Sequence, residues 1–137
     1  MTKKPKIQDY ITHNPLTIKK DASIKDAISF MIKNSIRHLP VTDEMGQVAG
    51  LVTDRDIKLA SSFEGAEQMK VEGIMVLRPY SVESVVSLSD VALTMSEYKY
   101  GCALVLQDGK LIGIFTASDG LRVLGEMLEE SQKRLAA

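Results

Sequence analysis

The feature that most constrains this chain is that its pattern occurs twice. Asn14-Pro15-Leu16-Thr17-Ile18 aligns with Arg78-Pro79-Tyr80-Ser81-Val82, which places the two prolines 64 positions apart (79 − 15). The same offset pairs Ser23 with Ser87, Asp26 with Asp90, Met31 with Met95 and Val41 with Val105. One residue is then lost in a turn, and an offset of 63 pairs Gly46 with Gly109, Gly50 with Gly113, Thr53 with Thr116 and Asp56 with Asp119. Residues 7–60 and 71–125 are therefore expected to be two copies of one unit. A polar linker at 61–70 joins them, and a helical extension at 126–137 follows.

Each copy carries the same local signals. A lead-in containing proline runs into a short extended pair, Thr17-Ile18 or Ser81-Val82. Ser23-x-x-Asp26 and Ser87-x-x-Asp90 have the spacing of a capping box that opens a helix. Behind them Ala27, Ile28, Met31 and Ile32 recur at helical spacing, as do Val91, Ala92 and Met95. Extended apolar runs follow at 39–41 and 103–106, then the turns Asp43-Glu44-Met45-Gly46 and Asp108-Gly109, the second a strong hairpin signal. A further apolar strand, 48–52 or 111–115, ends on Thr53 or Thr116 at the head of another helix. The predicted order is strand, helix, strand, strand, helix, twice. That is a mixed α/β (α+β) class, each copy a small sheet with two helices.

A unit of about 55–60 residues buries too little surface to be robust alone. The two sheets are therefore expected to pack face to face over one shared core, with a quasi-twofold cleft between the copies. Leu121, Leu124, Leu128 and Leu135 form a stripe on the last helix that is more apolar than a monomer's outer surface requires. That stripe is expected to pack back on the sheets or to serve dimerisation.

Composition narrows the function. Seventeen Lys and Arg against eighteen Asp and Glu leave a formal net charge of −1 with no block of like charge, which disfavours nucleic acid and acidic membranes as partners. The apolar runs 102–106 and 111–115 are far shorter than the roughly 20 residues of a membrane span. Met1-Thr2-Lys3-Lys4-Pro5 leads into no apolar segment, so no secretory signal and a cytoplasmic location are expected. With one cysteine there is no internal disulfide and no thiolate cluster, and His13 and His38 stand at no metal-ligand spacing. Cys102, inside an apolar stretch, reads as a small core residue. No nucleophile–base constellation is recognisable, and the chain is expected not to be an enzyme.

The most specific motifs are Gly50-Leu51-Val52-Thr53-Asp54-Arg55-Asp56 and Gly113-Ile114-Phe115-Thr116-Ala117-Ser118-Asp119. A glycine inside an apolar strand marks close approach by a ligand or by another stretch of backbone. The threonine heads a helix whose free N–H groups suit an anion, and the aspartate can accept from the hydroxyls of a ribose. Thr-x-x-Asp is equally a helix cap, kept in both copies for stability alone. The residues themselves leave both readings open.

Asn14-Pro15-Leu16-Thr17-Ile18, Ile36-Arg37-His38-Leu39-Pro40-Val41 and the Gly50–Asp56 motif together resemble a cystathionine-beta-synthase (CBS) domain pair, or Bateman module. The resemblance covers nearly the whole chain, with the second copy more divergent at Tyr100-Gly101-Cys102-Ala103-Leu104-Val105. It implies a non-enzymatic sensor that binds AMP, ADP, ATP or S-adenosylmethionine in the cleft between repeats. It also implies a homodimer that signals to a separate effector protein; a ligand-free dimerisation or interaction scaffold is the alternative.

Carried over residue by residue, one site uses Thr53, Arg55 and Asp56, with an adenine pocket near Met75, Val76, Tyr80 and Tyr100. The other uses Thr116, Ser118 and Asp119, with its pocket near Ile11, Leu16 and Ile36. Arg37 and His38 are expected on the Thr53 side, where with Arg55 they neutralise phosphate. Their counterparts Gly101, Cys102 and Ser118 carry no charge. The Thr53 site is accordingly expected to prefer charged nucleotides, and the Thr116 site to be weaker, empty or suited to a less charged adenosyl ligand.

Overall fold

The structure, a computed structural model, describes residues 3–136; Ala137 of the expected C-terminal extension lies outside them. A 3-10 turn at Ile7–Asp9 leads to β1 (Thr12–His13), β2 (Ile18–Lys19), α1 (Ile24–Asn34), β3 (His38–Thr42), β4 (Val48–Thr53) and α2 (Asp54–Ala60). Two 3-10 turns, Ala66–Gln68 and Val71–Gly73, precede β5 (Ser81–Glu83), α3 (Leu88–Tyr98), β6 (Cys102–Gln107), β7 (Lys110–Thr116) and α4 (Ala117–Ala136). The order strand–helix–strand–strand–helix is realised in both halves, and the fold is of mixed α/β class.

The local signals act where the sequence places them. Ser23 and Ser87 accept from the N–H groups of Asp26 and Asp90 at 3.0 and 3.1 Å, which satisfies one free donor at the head of each helix. At the β6–β7 hairpin Asp108 and Gly109 both take positive φ, +52° and +78°, so the turn has the hand that matches strand twist. The longer first turn is held by Asp43, whose Oδ1 accepts from the N–H groups of Met45 and Gln47.

The strands form two sheets, β2-β3-β4 and β1-β7-β6-β5. β2 lies parallel to β3 and β5 parallel to β6, while the hairpins β3–β4 and β6–β7 are antiparallel. The lead-ins trade places. β1, from the head of the chain, pairs with β7 through Thr12↔Ile114 and His13↔Gly113. Reciprocally, Leu51 of β4 exchanges two backbone hydrogen bonds with Val76, at 3.0 and 2.7 Å. Each sheet is thus edged by the segment that introduces the other repeat.

The apolar interior differs from the single shared core expected from sequence. Ile24, Ala27, Met31, Leu39, Val41, Val52 and Ile57 fill a cluster under the helices of the first half. Ile7, Val91, Met95, Ala103, Val105, Phe115 and Val123 fill one under the helices of the second. Leu51, Cys102, Leu104 and Ile114 make a third cluster. Strand alternation is the cause: Ala103 and Val105 face α3, so Cys102 and Leu104 face the other way. The sheets meet through that smaller inner layer.

Candidate functional site

Strand register delivers the candidate groups to the same end of both sheets. His38 pairs with Thr53, and Cys102 with Thr116, so the start of one strand lies beside the threonine that ends the next. The loop before each strand then closes on a helix head. The carbonyl of Arg37 accepts from Asp54 N at 3.0 Å, and that of Gly101 from Ala117 N at 3.0 Å.

Both Thr-x-x-Asp motifs are formed caps. Asp56 N donates to Thr53 Oγ1 at 3.2 Å and Thr53 N donates to Asp56 Oδ2 at 2.9 Å. Asp119 N donates to Thr116 Oγ1 at 3.2 Å, and Thr116 N to Asp119 Oδ2 at 2.8 Å. One difference separates them. The Thr53 hydroxyl also donates to Asp56 Oδ2 at 2.9 Å, whereas the Thr116 hydroxyl has no acceptor among the described residues. Thr116 therefore keeps a proton to offer.

A cavity of about 780 Å³ opens where the two halves meet. Thr116, Ala117, Ser118 and Asp119 line one wall, with Ile114 and Thr12. Asn14, Pro15, Leu16, Ser35, Ile36 and Pro40 line another. Arg37, His38, Thr53, Asp54, Arg55, Lys99 and Gly101 complete it. Leu16 and Ile36 thus fall where expected, beside Thr116, Ser118 and Asp119. Arg37, His38 and Arg55, assigned from sequence to the Thr53 side, line this same cleft. Thr53 borders it too, whereas Asp56 is not among the residues that line it.

The charges are unevenly satisfied. Arg37, Arg55 and Lys99 form no ion pair among the described residues, whereas Asp54 meets Lys58 at 3.9 Å and Asp119 meets Arg122 at 3.7 Å. Burial holds His38 below the ordinary imidazole pKa; Asp54 opposes that shift and Arg37 reinforces it. The ring sits where a methyl group on Gly101 would fall 2.6 Å from Nε2, so glycine there is what admits it. Burial pushes the Cys102 thiol up to about 12, which makes it an inert packing group.

The remaining sequence candidates lie elsewhere. Met75 packs over Gly50, where an added methyl would come within 2.7 Å of its sulfur. Ile11 packs over Gly113 in the matching way. Tyr80 and Tyr100 stack on each other with ring centroids 5.1 Å apart, and Tyr98 stacks on Tyr100 at 5.6 Å. No sequence motif singles out Lys99, which lines the cleft. The repeat offset pairs it with Ser35, which lines the same cleft, so the twofold relation between the repeats does not by itself place Lys99 there.

Profile comparison matches the CBS domain at residues 7–62 and again at 71–126. The chain belongs to the CBS domain family. A CBS domain-containing protein of Dictyostelium discoideum is 31% identical over 135 residues, covering 90% of this chain and 93% of that one. L-aspartate semialdehyde sulfurtransferase of Methanocaldococcus jannaschii is 30% identical over 120 residues; the match takes in 87% of this CBS pair but only 23% of the enzyme.

Among solved structures, an acetoin utilization protein (AcuB) from Vibrio cholerae superposes with a TM-score of 0.87 at 28% identity, covering 96% of this chain and 98% of that one. The CBS domain pair of protein MJ0100, solved with 5-methylthioadenosine and S-adenosyl-L-methionine, gives 0.83 at 28% identity over 91% and 99%. CBSX2, solved with AMP, gives 0.77 at 28% identity over 90% and 98%. Among the described residues of this CBS pair no helix is long and apolar enough to cross a membrane, and no cluster of three or more His, Cys, Asp or Glu side chains is placed to hold a metal ion.

Proposed function

We propose that this CBS pair is a non-enzymatic regulatory module that binds a phosphorylated adenosine, AMP, ADP or ATP, in the cleft at Thr116–Asp119. The observation that carries the reading is the convergence of Arg37, Arg55 and Lys99, none of them ion-paired among the described residues, on a cleft bounded by the Thr116 hydroxyl. Unpaired cations beside a free hydroxyl donor and the head of a long helix suit phosphate oxygens. Leu16 and Ile36 offer apolar walls for a base, and Asp119, which lines the cleft with Thr116, offers a carboxylate that can accept from a ribose hydroxyl. The adenosyl ligands of the MJ0100 pair and of CBSX2 support the ligand class. The cations favour a phosphate over the positively charged sulfonium of S-adenosylmethionine.

The module works by population shift: a ligand touching both repeats favours one relative placement of the sheets, and a partner protein reads the result. In this reading the chain is a cytoplasmic homodimer, joined through the exposed leucines of α4. A thermal-melt series with AMP, ADP, ATP, S-adenosylmethionine and a GTP control tests the ligand. At 100 times its dissociation constant a ligand adds about 2.7 kcal/mol, a rise of roughly 8–14 °C for a domain of this size. The adenine nucleotides are expected to give it, and the double variant Arg37→Gln/Arg55→Gln to lose it. A flat series refutes the reading and favours the ligand-free scaffold, for which the fully formed caps at Thr53 and Thr116 already speak.

A further inference from the structure

We infer that this chain takes one nucleotide rather than two, because Tyr80 and Tyr100 close the second, symmetry-related cleft upon themselves. The inference rests on the proposed function above and specifies its stoichiometry. A duplicated unit offers two related base positions. Leu16 and Ile36 line the open one, and an offset of 64 carries them to Tyr80 and Tyr100.

Those two rings lie 5.1 Å apart between centroids with 25° between their planes. A base held between two side-chain surfaces needs about 7 Å, twice the ~3.5 Å contact distance of carbon atoms. Tyr98 continues the stack, its ring 5.6 Å from that of Tyr100 and inclined by 15°. The tyrosines satisfy one another where the other half leaves room for a ligand.

At the opposite end of the second position the one cation the offset supplies is Arg55, the counterpart of Ser118 (118 − 63), and it lines the open cleft. The counterparts of Arg37 and His38 are Gly101 and the buried Cys102, neither of them charged. The His38 ring of the first half fills the space over Gly101. The Thr53 hydroxyl gives its proton to Asp56 Oδ2, while that of Thr116 stays available. Base position and phosphate position are closed together.

Isothermal titration with AMP, and separately with ATP, reads the stoichiometry. The wild-type protein is expected to bind one equivalent per chain. The variant Tyr80→Leu/Tyr100→Ile installs the first repeat's residues at the matching positions, and it is expected to add a second, weaker step toward two equivalents with the first step unchanged. Two equivalents in the wild type overturn the inference and leave the proposed function standing. A folded double variant, checked by circular dichroism, that stays at one equivalent also overturns it. Absence of binding by wild type to both nucleotides removes the proposed function and this inference together. The wild-type titration decides on its own if the variant does not fold.

Discussion

A methyl group is enough to test the closest approaches in the molecule. On Gly50 it would sit 2.7 Å from the Met75 sulfur and 2.8 Å from the Val76 carbonyl oxygen, and the second contact is backbone. Gly50→Ala is therefore expected to cost about 1–3 kcal/mol by denaturant unfolding. On Gly113 the methyl would overlap Ile11 Cδ1 and come within 2.9 and 3.0 Å of its Cγ1 and Cβ, so Gly113→Ala is expected to destabilise as well. His38 carries a pH signature. Its imidazole is held below the ordinary value by burial, so the unfolded chain binds the proton more tightly than the folded one. The sign follows: stability is complete above the unfolded pKa and declines as pH falls through it toward the folded value. A His38→Gln variant, compared with wild type between pH 8 and 5, is expected to lose that part of the decline. On the proposed reading a nucleotide phosphate beside the ring would act oppositely by favouring its charged form, so wild-type affinity is expected to rise as pH falls, and the rise to vanish in the variant.

At the scale of elements, the traded lead-ins decide what holds each half together. Ile7 is fully buried among Val91, Val105 and Phe115, all of them residues of the second repeat. Ile7→Ala is expected to cost about 2–5 kcal/mol, and hydrogen exchange should locate the loosening in β6 and β7 rather than in β3 and β4. This exchange also marks where the sequence stops being legible. Periodicity, the serine caps and the Asp108-Gly109 turn are local signals, and each places its element as expected. Which sheet β1 joins depends on a pairing between Thr12 and Ile114, and no spacing within a repeat encodes it. The cleft depends on the same long-range pairing. Leu16 and Ile36 line the cleft beside Thr116, and Arg37 and His38 lie next to Thr53, as their neighbourhood in sequence implies. The loop they occupy bridges both helix heads, so adjacency along the chain could not show that they border the Thr116 cleft.

For the whole molecule, the outer face of α4 is the feature to probe. Leu121, Leu124, Leu128 and Leu135 are 70, 54, 53 and 85% exposed, while Val123 of the same helix is buried. Sedimentation analysis is expected to find a dimer, and Leu124→Glu/Leu128→Glu to leave a folded monomer; a wild-type monomer refutes the dimer. The strand exchange has a further consequence, in time rather than in space. Thr12 finds its partner 102 positions later (114 − 12). At roughly 5–20 residues per second of synthesis, the head of the chain leaves the ribosome about 5–20 s before its sheet exists. Until then β1 is a strand without a ladder, and the first repeat lacks the Val76 edge it receives from the second. The gene can be read as two copies of one unit, yet the nascent chain must wait for nearly all of both before either is finished.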